Sequence, residues 1–195
     1  MQIFEASDIE KEGINEINSF LDIVYSTKES MDIDFVNLGY VLRTKKFYQN
    51  AKKAYQMALL KKQETGITAM DNLTVYFQLY KAYDLDGKTG EALKTLQEGY
   101  EKTKEKDEGL LYTIGYYYID KKIDIKKGIE ILKSMLNDKH LVSSFWSKPK
   151  DEVYSKIATG YWELKNKKEA KIFVDKALEV NPKNEASLKL KALMK

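Results

Sequence analysis

The 195-residue chain contains no cysteine, one histidine, one arginine and only two prolines. Without cysteine there are no disulfides, thiolate nucleophiles or zinc–thiolate sites. The few prolines, together with only ten glycines, argue against a β-rich fold, which needs many turns. No run approaches the roughly 18 apolar residues that a membrane-spanning helix requires. Direct membrane insertion is therefore not expected.

The charged residues are balanced and interleaved. The chain carries 33 basic and 30 acidic residues, a net charge of +3, in a pattern typical of solvated helix faces. Every basic residue except Arg43 is a lysine, whereas contacts to phosphates and base edges favour arginine. Nucleic acid is therefore not an expected partner.

Apolar residues recur with helical spacing, beginning with residues 1–30. One face of this segment carries the apolar residues Ile14, Ile17, Phe20, Leu21 and Val24. This spacing predicts an N-terminal helix of about five turns. We expect it to pack on the rest of the chain.

A pattern of large and small residues then occurs four times. Each copy has two halves, and the last closes with Asn181-Pro182. The first halves are Phe35-x-x-Leu38-Gly39-x-x-Leu42, Tyr76-x-x-Leu79-Tyr80-x-x-Tyr83, Leu111-x-x-Ile114-Gly115-x-x-Tyr118 and Tyr154-x-x-Ile157-Ala158-x-x-Tyr161. The second halves are Ala51-x-x-x-Tyr55-x-x-Ala58, Ala92-x-x-x-Leu96-x-x-Gly99, Gly128-x-x-x-Leu132-x-x-Met135 and Ala170-x-x-x-Val174-x-x-Ala177.

The recurring small residues require a packing explanation. A glycine inside a helix costs about 1 kcal/mol relative to alanine, so Gly39, Gly115 and Gly128 would not stand at repeat positions without one. We expect them to let the two helices of each copy approach closely. The large residues of the second halves are expected to fill the space between neighbouring hairpins. These are Tyr55, Leu96, Leu132 and Val174.

The pattern resembles the tetratricopeptide repeat, W-x2-L-G-x2-Y followed by A-x3-F and P, over roughly residues 31–195. The resemblance implies an all-α, right-handed superhelical solenoid of about four hairpins. The expected ranges are about 32–65, 73–105, 108–140 and 151–182, with a capping helix at 184–195 that carries Ala186, Leu188, Leu190 and Leu193.

The repeat spacing departs from the family. The small residues of the second halves lie 41, 36 and 42 positions apart, against about 34 in the family pattern. The first three copies are therefore expected to have longer second helices or connections. An extra residue in the third copy is expected around Lys126 and Lys127.

No arrangement of residues indicates an enzyme. His140, the one histidine, is interpreted as a surface residue at a helix end. Phosphate-loop, dinucleotide and zinc-protease motifs are missing from the sequence. The segment 84–87 faintly resembles a calcium loop, but Thr95 stands where the bidentate glutamate belongs, so a turn is favoured. No catalytic residue, cofactor or metal is expected.

The resemblance also implies a partner-binding surface on the concave face, which the first helices form. Transferred by register, its residues are Val36, Tyr40, Arg43, Phe77, Lys81, Tyr112, Tyr116, Ser155, Thr159 and Trp162. Exposed aromatic side chains there would suit a peptide or helix of another protein. Two alternatives are left open. In one, the aromatics are core, as at least one of Tyr116, Tyr117 and Tyr118 must be. In the other, the N-terminal helix covers the groove. A chaperone-tail clamp is not expected, because Val36 and Tyr40 replace its lysine and asparagine.

The favoured function is thus a protein–protein interaction scaffold, and the alternative is self-association as a homodimer. A helical-repeat enzyme or ligand-binding subunit is less favoured, since Glu152 and Glu163 are the nearest candidate carboxylates. Phe145 and Trp146 form a second candidate surface in the loop 141–150, where folding back onto a hairpin is favoured. If Met1 is the natural start, a cytoplasmic location is expected. If a signal segment has been removed, a periplasmic or surface-anchored location is expected.

Overall fold

A computed structural model of the chain describes residues 6–27, 30–65, 71–102, 107–139, 143 and 147–194, with side chains from residue 13 onward except that of residue 65. Ten α-helices occupy most of these residues. They are α1 (Ala6–Ser26), α2 (Asp32–Thr44), α3 (Tyr48–Thr65), α4 (Asn72–Leu85), α5 (Thr89–Lys102), α6 (Glu108–Asp120), α7 (Ile125–Asn137), α8 (Lys150–Glu163), α9 (Lys167–Val180) and α10 (Glu185–Leu193). The predicted all-α fold class is confirmed.

Each repeat copy contributes two consecutive helices, which we call its A helix and its B helix. The A helices are α2, α4, α6 and α8, and the B helices are α3, α5, α7 and α9. The chain divides into two compact units, Met1–Thr95 (unit 1) and Leu96–Lys195 (unit 2). The extra length of the first copy lies largely in α3, which has 18 residues against 14 in α9.

Every A helix ends in the same type of turn. A residue with positive φ follows it: Lys46 (67°), Gly87 (73°), Lys122 (53°) or Lys165 (61°). In the first turn the N–H of Phe47 donates to the carbonyl of Leu42 at 2.9 Å, as in a Schellman motif. The third turn spans residues 121–124, one more than the others. The extra residue of the third copy therefore lies in this turn, just before its predicted position.

The core of unit 1 forms where α1 and α2 meet α3. Leu21 of α1 is buried, with Ile17 and Val24 packed beside it, and α1 contacts α3. Phe20 was expected on the same face but is 53% exposed. Residues 17, 21 and 24 share one side of a helix, and residue 20 lies at the edge of that side, about 60° from residue 17 and about 100° from residue 21.

The core of unit 2 lies among α6, α7, α8 and α9. The C-terminal helix α10 contacts α8 and α9 and contributes Leu190, which is buried. Two of the other apolar residues of this helix are exposed, Leu188 by 46% and Leu193 by 68%. One side of α10, marked by the buried Ser187 and Leu190, faces the core, so its remaining leucines point outward.

The small residues bring the two helices of a hairpin together. A Cβ on Gly39 would lie 2.6 Å from the Tyr55 ring, and one on Gly115 would lie 2.8 Å from Leu132. Tyr55 and Leu132 thus fill the space inside their own hairpins. Each packs into the hole that the glycine of the partner helix leaves, a contact within the hairpin that the sequence did not predict. That these side chains also fill the space between neighbouring hairpins stays a prediction.

A repeated hydrogen bond joins a B helix to the following A helix. In unit 1 Gln56 Nε2 donates to the Tyr83 hydroxyl at 3.2 Å. In unit 2 Gln97 Nε2 donates to the Tyr118 hydroxyl at 3.1 Å and Lys133 Nζ to the Tyr161 hydroxyl at 2.6 Å. Each donor stands five positions after the small residue of its B helix. The last tyrosine of the A-helix motif therefore has a defined structural role.

Candidate partner-binding surface

In unit 1 the A-helix surface centres on Arg43 of α2. Its guanidinium carbon lies 5.3 Å from the ring centroid of Tyr40, which is 53% exposed. Arg43 Nη2 donates to Gln78 Oε1 of α4 at 3.1 Å. Arg43 therefore joins the two A helices and holds its guanidinium over an exposed aromatic ring. We call Tyr40, Arg43, Gln78 and Lys81 the Arg43 patch.

The Arg43 patch is positively charged and its hydrogen bonding is incomplete. Arg43 and the Tyr55 hydroxyl lie close enough to interact, but Arg43 Nε and this hydroxyl are buried, and neither has a partner of good hydrogen-bond geometry within the described part of the chain. Burial raises the pKa of Tyr55, and the nearby Arg43 opposes this. Burial and the positive charge of Arg43 both lower the pKa of Lys81.

Two other predicted residues of unit 1 belong to its interior. Val36 is 5% and Phe77 is 4% exposed. The Phe77 ring lies 6.1 Å from that of Tyr80. These side chains offer little surface to a partner, because one side of each A helix faces the unit's own core.

In unit 2 the A-helix surface is formed by α6 and α8. Tyr116 of α6 is partly exposed, and Lys156 Nζ of α8 lies 3.6 Å from its ring centroid. Burial lowers the pKa of Lys156, while Asp120, with Oδ1 at 3.8 Å, opposes this. Tyr112 is buried, and its pKa is raised by burial and by Glu152 and Tyr116.

The remaining predicted residues lie along α8. Ser155 is buried, and Thr159 Oγ1 donates to its carbonyl at 3.0 Å. Trp162 is partly exposed, with Lys167 Nζ 5.8 Å from its ring. Tyr117 and Tyr118 are buried, which confirms that at least one of the three consecutive tyrosines is core.

Several solved structures have a backbone fold similar to that of this chain. YrrB, described as a TPR protein with an unusual peptide-binding site, is 17% identical over 93% of this chain and 86% of its own, with a TM-score of 0.64. MamA is 17% identical over 93% of this chain and 98% of its own, with a TM-score of 0.59. The TPR-like repeats of a putative kinesin light chain from Podosopora anserina are 12% identical over 90% and 89%, with a TM-score of 0.61.

The chain has a tetratricopeptide-repeat fold. At identities of 17% or less the similarity establishes the fold alone. No protein-family model matches the chain, and no curated protein matches it in sequence.

In this tetratricopeptide fold, Gln78 and Lys156 are surface-forming residues that the sequence register missed. Each stands one position after a residue that the register selected, Phe77 and Ser155. Only the buried state of Phe77 and Ser155 reveals the offset. For Gln78 a signal was available, because it is a polar residue that follows the hydrophobic Phe77. Ser155 and Lys156 are both polar and gave no such signal.

Other candidate groups have structural roles or fall outside the description. Asp86, in the segment compared with a calcium loop, accepts hydrogen bonds from Lys52 at 2.6 Å and Gln49 at 3.0 Å. Glu163 pairs with Lys122 at 2.7 Å, and Glu152 lies 3.6 Å from Lys148. The candidate residues His140, Phe145 and Trp146 lie outside the described residues.

The described residues contain no group of three or more histidine, cysteine or acidic side chains placed to hold a metal ion. Among the helices with described residues, none is both long and apolar enough to cross a bilayer.

Proposed function

We propose that this tetratricopeptide-repeat protein is an interaction scaffold that binds a peptide or helix of another protein on its A-helix surface. The observation that carries the proposal is the Arg43 patch. It combines an exposed aromatic ring with a guanidinium that is positioned by Gln78.

The chemistry of this patch suits a polypeptide ligand. A guanidinium has five N–H donors, and Gln78 accepts from one of them. A carbonyl or carboxylate oxygen of a partner can accept from others, and arginine, already held by Gln78 and Tyr40, loses little entropy on binding. The Tyr40 ring supplies contact area at low entropic cost.

Unit 2 offers a second set of contacts of the same kind. Tyr116 and Trp162 are partly exposed, and each has a lysine ammonium group near its ring. Tyrosine and tryptophan are enriched among the residues that contribute most to binding energy. YrrB, which shares the fold, is itself described as peptide-binding, which supports the proposal by analogy.

The test is affinity purification with mass spectrometry from the native organism. Wild type is compared with the Tyr40→Glu/Tyr116→Glu double variant and with Arg43→Gln. The matched control is Val41→Glu, because Val41 has the same 53% exposure as Tyr40 but points to another side of α2. We expect a partner that wild type and Val41→Glu retain and the A-helix variants lose. Equal recovery by all variants, with unchanged circular dichroism, would refute the A-helix surface as the binding site.

Self-association is a second candidate, favoured by two exposed apolar residues on α1. Phe20 is 53% and Ile23 is 68% exposed, and their i, i+3 spacing places them on one side of the helix. Sedimentation velocity over a range of concentrations tests this. A homodimer that uses this side should dissociate in a Phe20→Lys/Ile23→Lys variant, and a monomer mass of wild type at every concentration would exclude it.

A further inference from the structure

The repeat produces equivalent grooves in the two units, each between a B helix and the A helix that follows. The unit 1 groove has a volume of about 380 Å³ and is lined by Lys52, Gln56 and Tyr83, among others. The unit 2 groove, of about 500 Å³, is lined at the equivalent positions by Ile129, Lys133 and Tyr161. The two grooves are lined at the same repeat positions, so their different side chains decide which ligand each groove can bind.

An ion pair occupies one side of the unit 1 groove. Lys52 Nζ lies 2.6 Å from Asp86 Oδ2, and the two side chains are 8% and 19% exposed. The equivalent residues of unit 2 are Ile129 and Leu164. Like Lys52, Ile129 comes directly after the small residue of its B helix. Like Asp86, Leu164 comes three positions after the last tyrosine of its A-helix motif. Ile129 is 3% exposed and Leu164 is 38% exposed. The unit 2 groove therefore has an apolar base and an accessible apolar wall.

A hydrogen bond and a ring stack hold the next part of the unit 2 groove, about one turn further along α7 and α8. Lys133 Nζ donates to the Tyr161 hydroxyl at 2.6 Å, and the Tyr161 ring stacks on Phe173 with centroids 5.7 Å apart. Lys133 Nζ also lies 5.2 Å from the Phe173 ring centroid. A wall fixed by a hydrogen bond and a ring stack needs little reorganisation when a ligand binds.

The charge at the rim favours an anionic ligand. Lys126 and Lys133 line the groove together with one acidic residue, Glu130. The hydrogen bond of Lys133 to Tyr161 uses one of its three N–H donors. The N-cap of α9, Asn166, completes the rim and places the helix N-terminus nearby, which adds positive potential.

We propose that the unit 2 groove binds a protein segment that inserts one bulky aliphatic side chain between Ile129 and Leu164 and places a carboxylate beside Lys126 and Lys133. The apolar base selects the aliphatic group and the lysines select the neighbouring acid. The groove shares no residue with the A-helix surface, so this site is additional to the proposed function and does not depend on it.

The first test is an NMR titration of the full chain, labelled at isoleucine and leucine methyl groups. The probes are three acetylated and amidated tripeptides: Asp-Leu-Glu, Asp-Ala-Glu and Lys-Leu-Lys. Asp-Leu-Glu should cause saturable shifts of the Ile129 and Leu164 methyl signals. Asp-Ala-Glu should bind about tenfold more weakly, because it buries less apolar surface. Lys-Leu-Lys should be weaker still, because its charges face the two lysines.

A variant that replaces the apolar residues of the groove with an ion pair gives a second test. Ile129→Lys/Leu164→Asp copies the ion pair of unit 1 and should weaken Asp-Leu-Glu binding at least about tenfold. Leu164→Asp alone, at a partly exposed position, serves if the double variant is unstable. Leu85→Asp, which changes a leucine of 52% exposure in unit 1, is the matched control and should bind as wild type does, as should Tyr40→Glu.

Three results would overturn the proposal. One is the absence of saturable methyl shifts up to about 10 mM Asp-Leu-Glu, since weaker binding than this has no biological use. Another is equal binding of the three tripeptides. The third is Asp-Leu-Glu binding that Tyr40→Glu abolishes while Leu164→Asp leaves it intact, which would place the tripeptide on the A-helix surface.

Discussion

Gly115 and Gly128 face each other across the third hairpin, where a Cβ on Gly128 would lie 2.7 Å from the Gly115 carbonyl oxygen. The same Cβ would also lie 2.7 Å from Ile119 and 3.0 Å from Tyr118. A backbone atom is thus the nearest neighbour, and it cannot move aside as a flexible side chain can. The helices α6 and α7 approach to a distance that only glycine at position 128 permits.

Gly128→Ala should therefore lower the free energy of unfolding by about 1–3 kcal/mol, because overpacking outweighs the better helix propensity of alanine. Urea denaturation measures the change. Gly90→Ala is the control: a Cβ there meets nothing within 4 Å, so the free energy of unfolding should rise by about 0.5–1 kcal/mol. The same sign of change in both variants would contradict the close approach.

Removing the Tyr55 hydroxyl should not harm the protein. This oxygen is buried without a hydrogen-bond partner in the described part of the chain, so Tyr55→Phe should raise the free energy of unfolding by up to about 1 kcal/mol. Tyr161→Phe should instead lower it by about 1 kcal/mol, because Lys133 loses its acceptor. Thermal denaturation followed by circular dichroism compares them, and an equal loss in both would show that the Tyr55 hydroxyl is satisfied.

Asp151 should make the stability depend on pH. Burial opposes its ionisation, but hydrogen bonds donated by Asn184 at 2.9 Å and Asn181 at 2.8 Å outweigh this, so the pKa of Asp151 is lowered. Because the folded-state pKa lies below the unfolded value, Asp151 stabilises the fold above about pH 4. This contribution is lost as the pH falls through the folded-state pKa.

Asp151→Asn should accordingly lower the free energy of unfolding at pH 7 by about 2 kcal/mol and flatten its decline between about pH 5 and pH 2. Urea melts across this range measure both effects. Asp175→Asn, at an exposed position, should change the free energy of unfolding by less than about 0.5 kcal/mol. If the free energy of unfolding of Asp151→Asn declined with pH as that of wild type does, Asp151 would not be the cause of the decline.

Removing one partner of the Lys52–Asp86 ion pair should lower the free energy of unfolding more than replacing both partners with apolar residues does. Asp86→Asn should lower the free energy of unfolding by about 2–3 kcal/mol, because it leaves the buried Lys52 ammonium without its counterion. Lys52→Ile/Asp86→Leu, which copies unit 2, should stay within about 1 kcal/mol of wild type. Asp22→Asn breaks the more exposed pair with Lys53 and should cost under about 1 kcal/mol. Equal losses in all three variants would contradict this ranking.

The turn after α2 should favour glycine at one position only. Lys46 has φ 67°, a conformation that costs a residue with a Cβ about 1 kcal/mol, so Lys46→Gly should raise the free energy of unfolding by about 0.5–1 kcal/mol. The neighbouring Lys45 has φ −85°, so Lys45→Gly should lower it by a similar amount. Chemical denaturation of the two variants measures these changes. A lower free energy of unfolding in Lys46→Gly would contradict the prediction.

Much of the fold could be predicted from the sequence because its signals are local. The spacing of Leu21 and Val24, or of Ala51 and Tyr55, reports which residues share a helix face. The Asn181-Pro182 pair likewise marks where a helix must stop. For this reason the helical-hairpin pattern and the positions of its small residues were visible without coordinates.

The candidate site was predicted less well, because binding residues depend on the rotation of each helix about its own axis. Phe77 and Tyr112 were placed on the partner-binding surface but are buried, whereas Gln78 and Lys156, one position after selected residues, reach it. A rotation error of one residue, about 100°, is enough to exchange a core residue for a surface residue. Whether the exposed predicted residues contact a partner remains a prediction.

By itself the sequence determined the helical period, the four repeats and the resemblance to the tetratricopeptide family, since these depend on neighbours along the chain. Only the tertiary structure decided that Tyr55 and Leu132 pack inside their hairpins, that Arg43 bridges to Gln78, and that the unit 2 groove has an apolar base. Each of these arises from residues distant in sequence, and their side chains meet at distances and angles that helix–helix packing sets and periodicity does not encode.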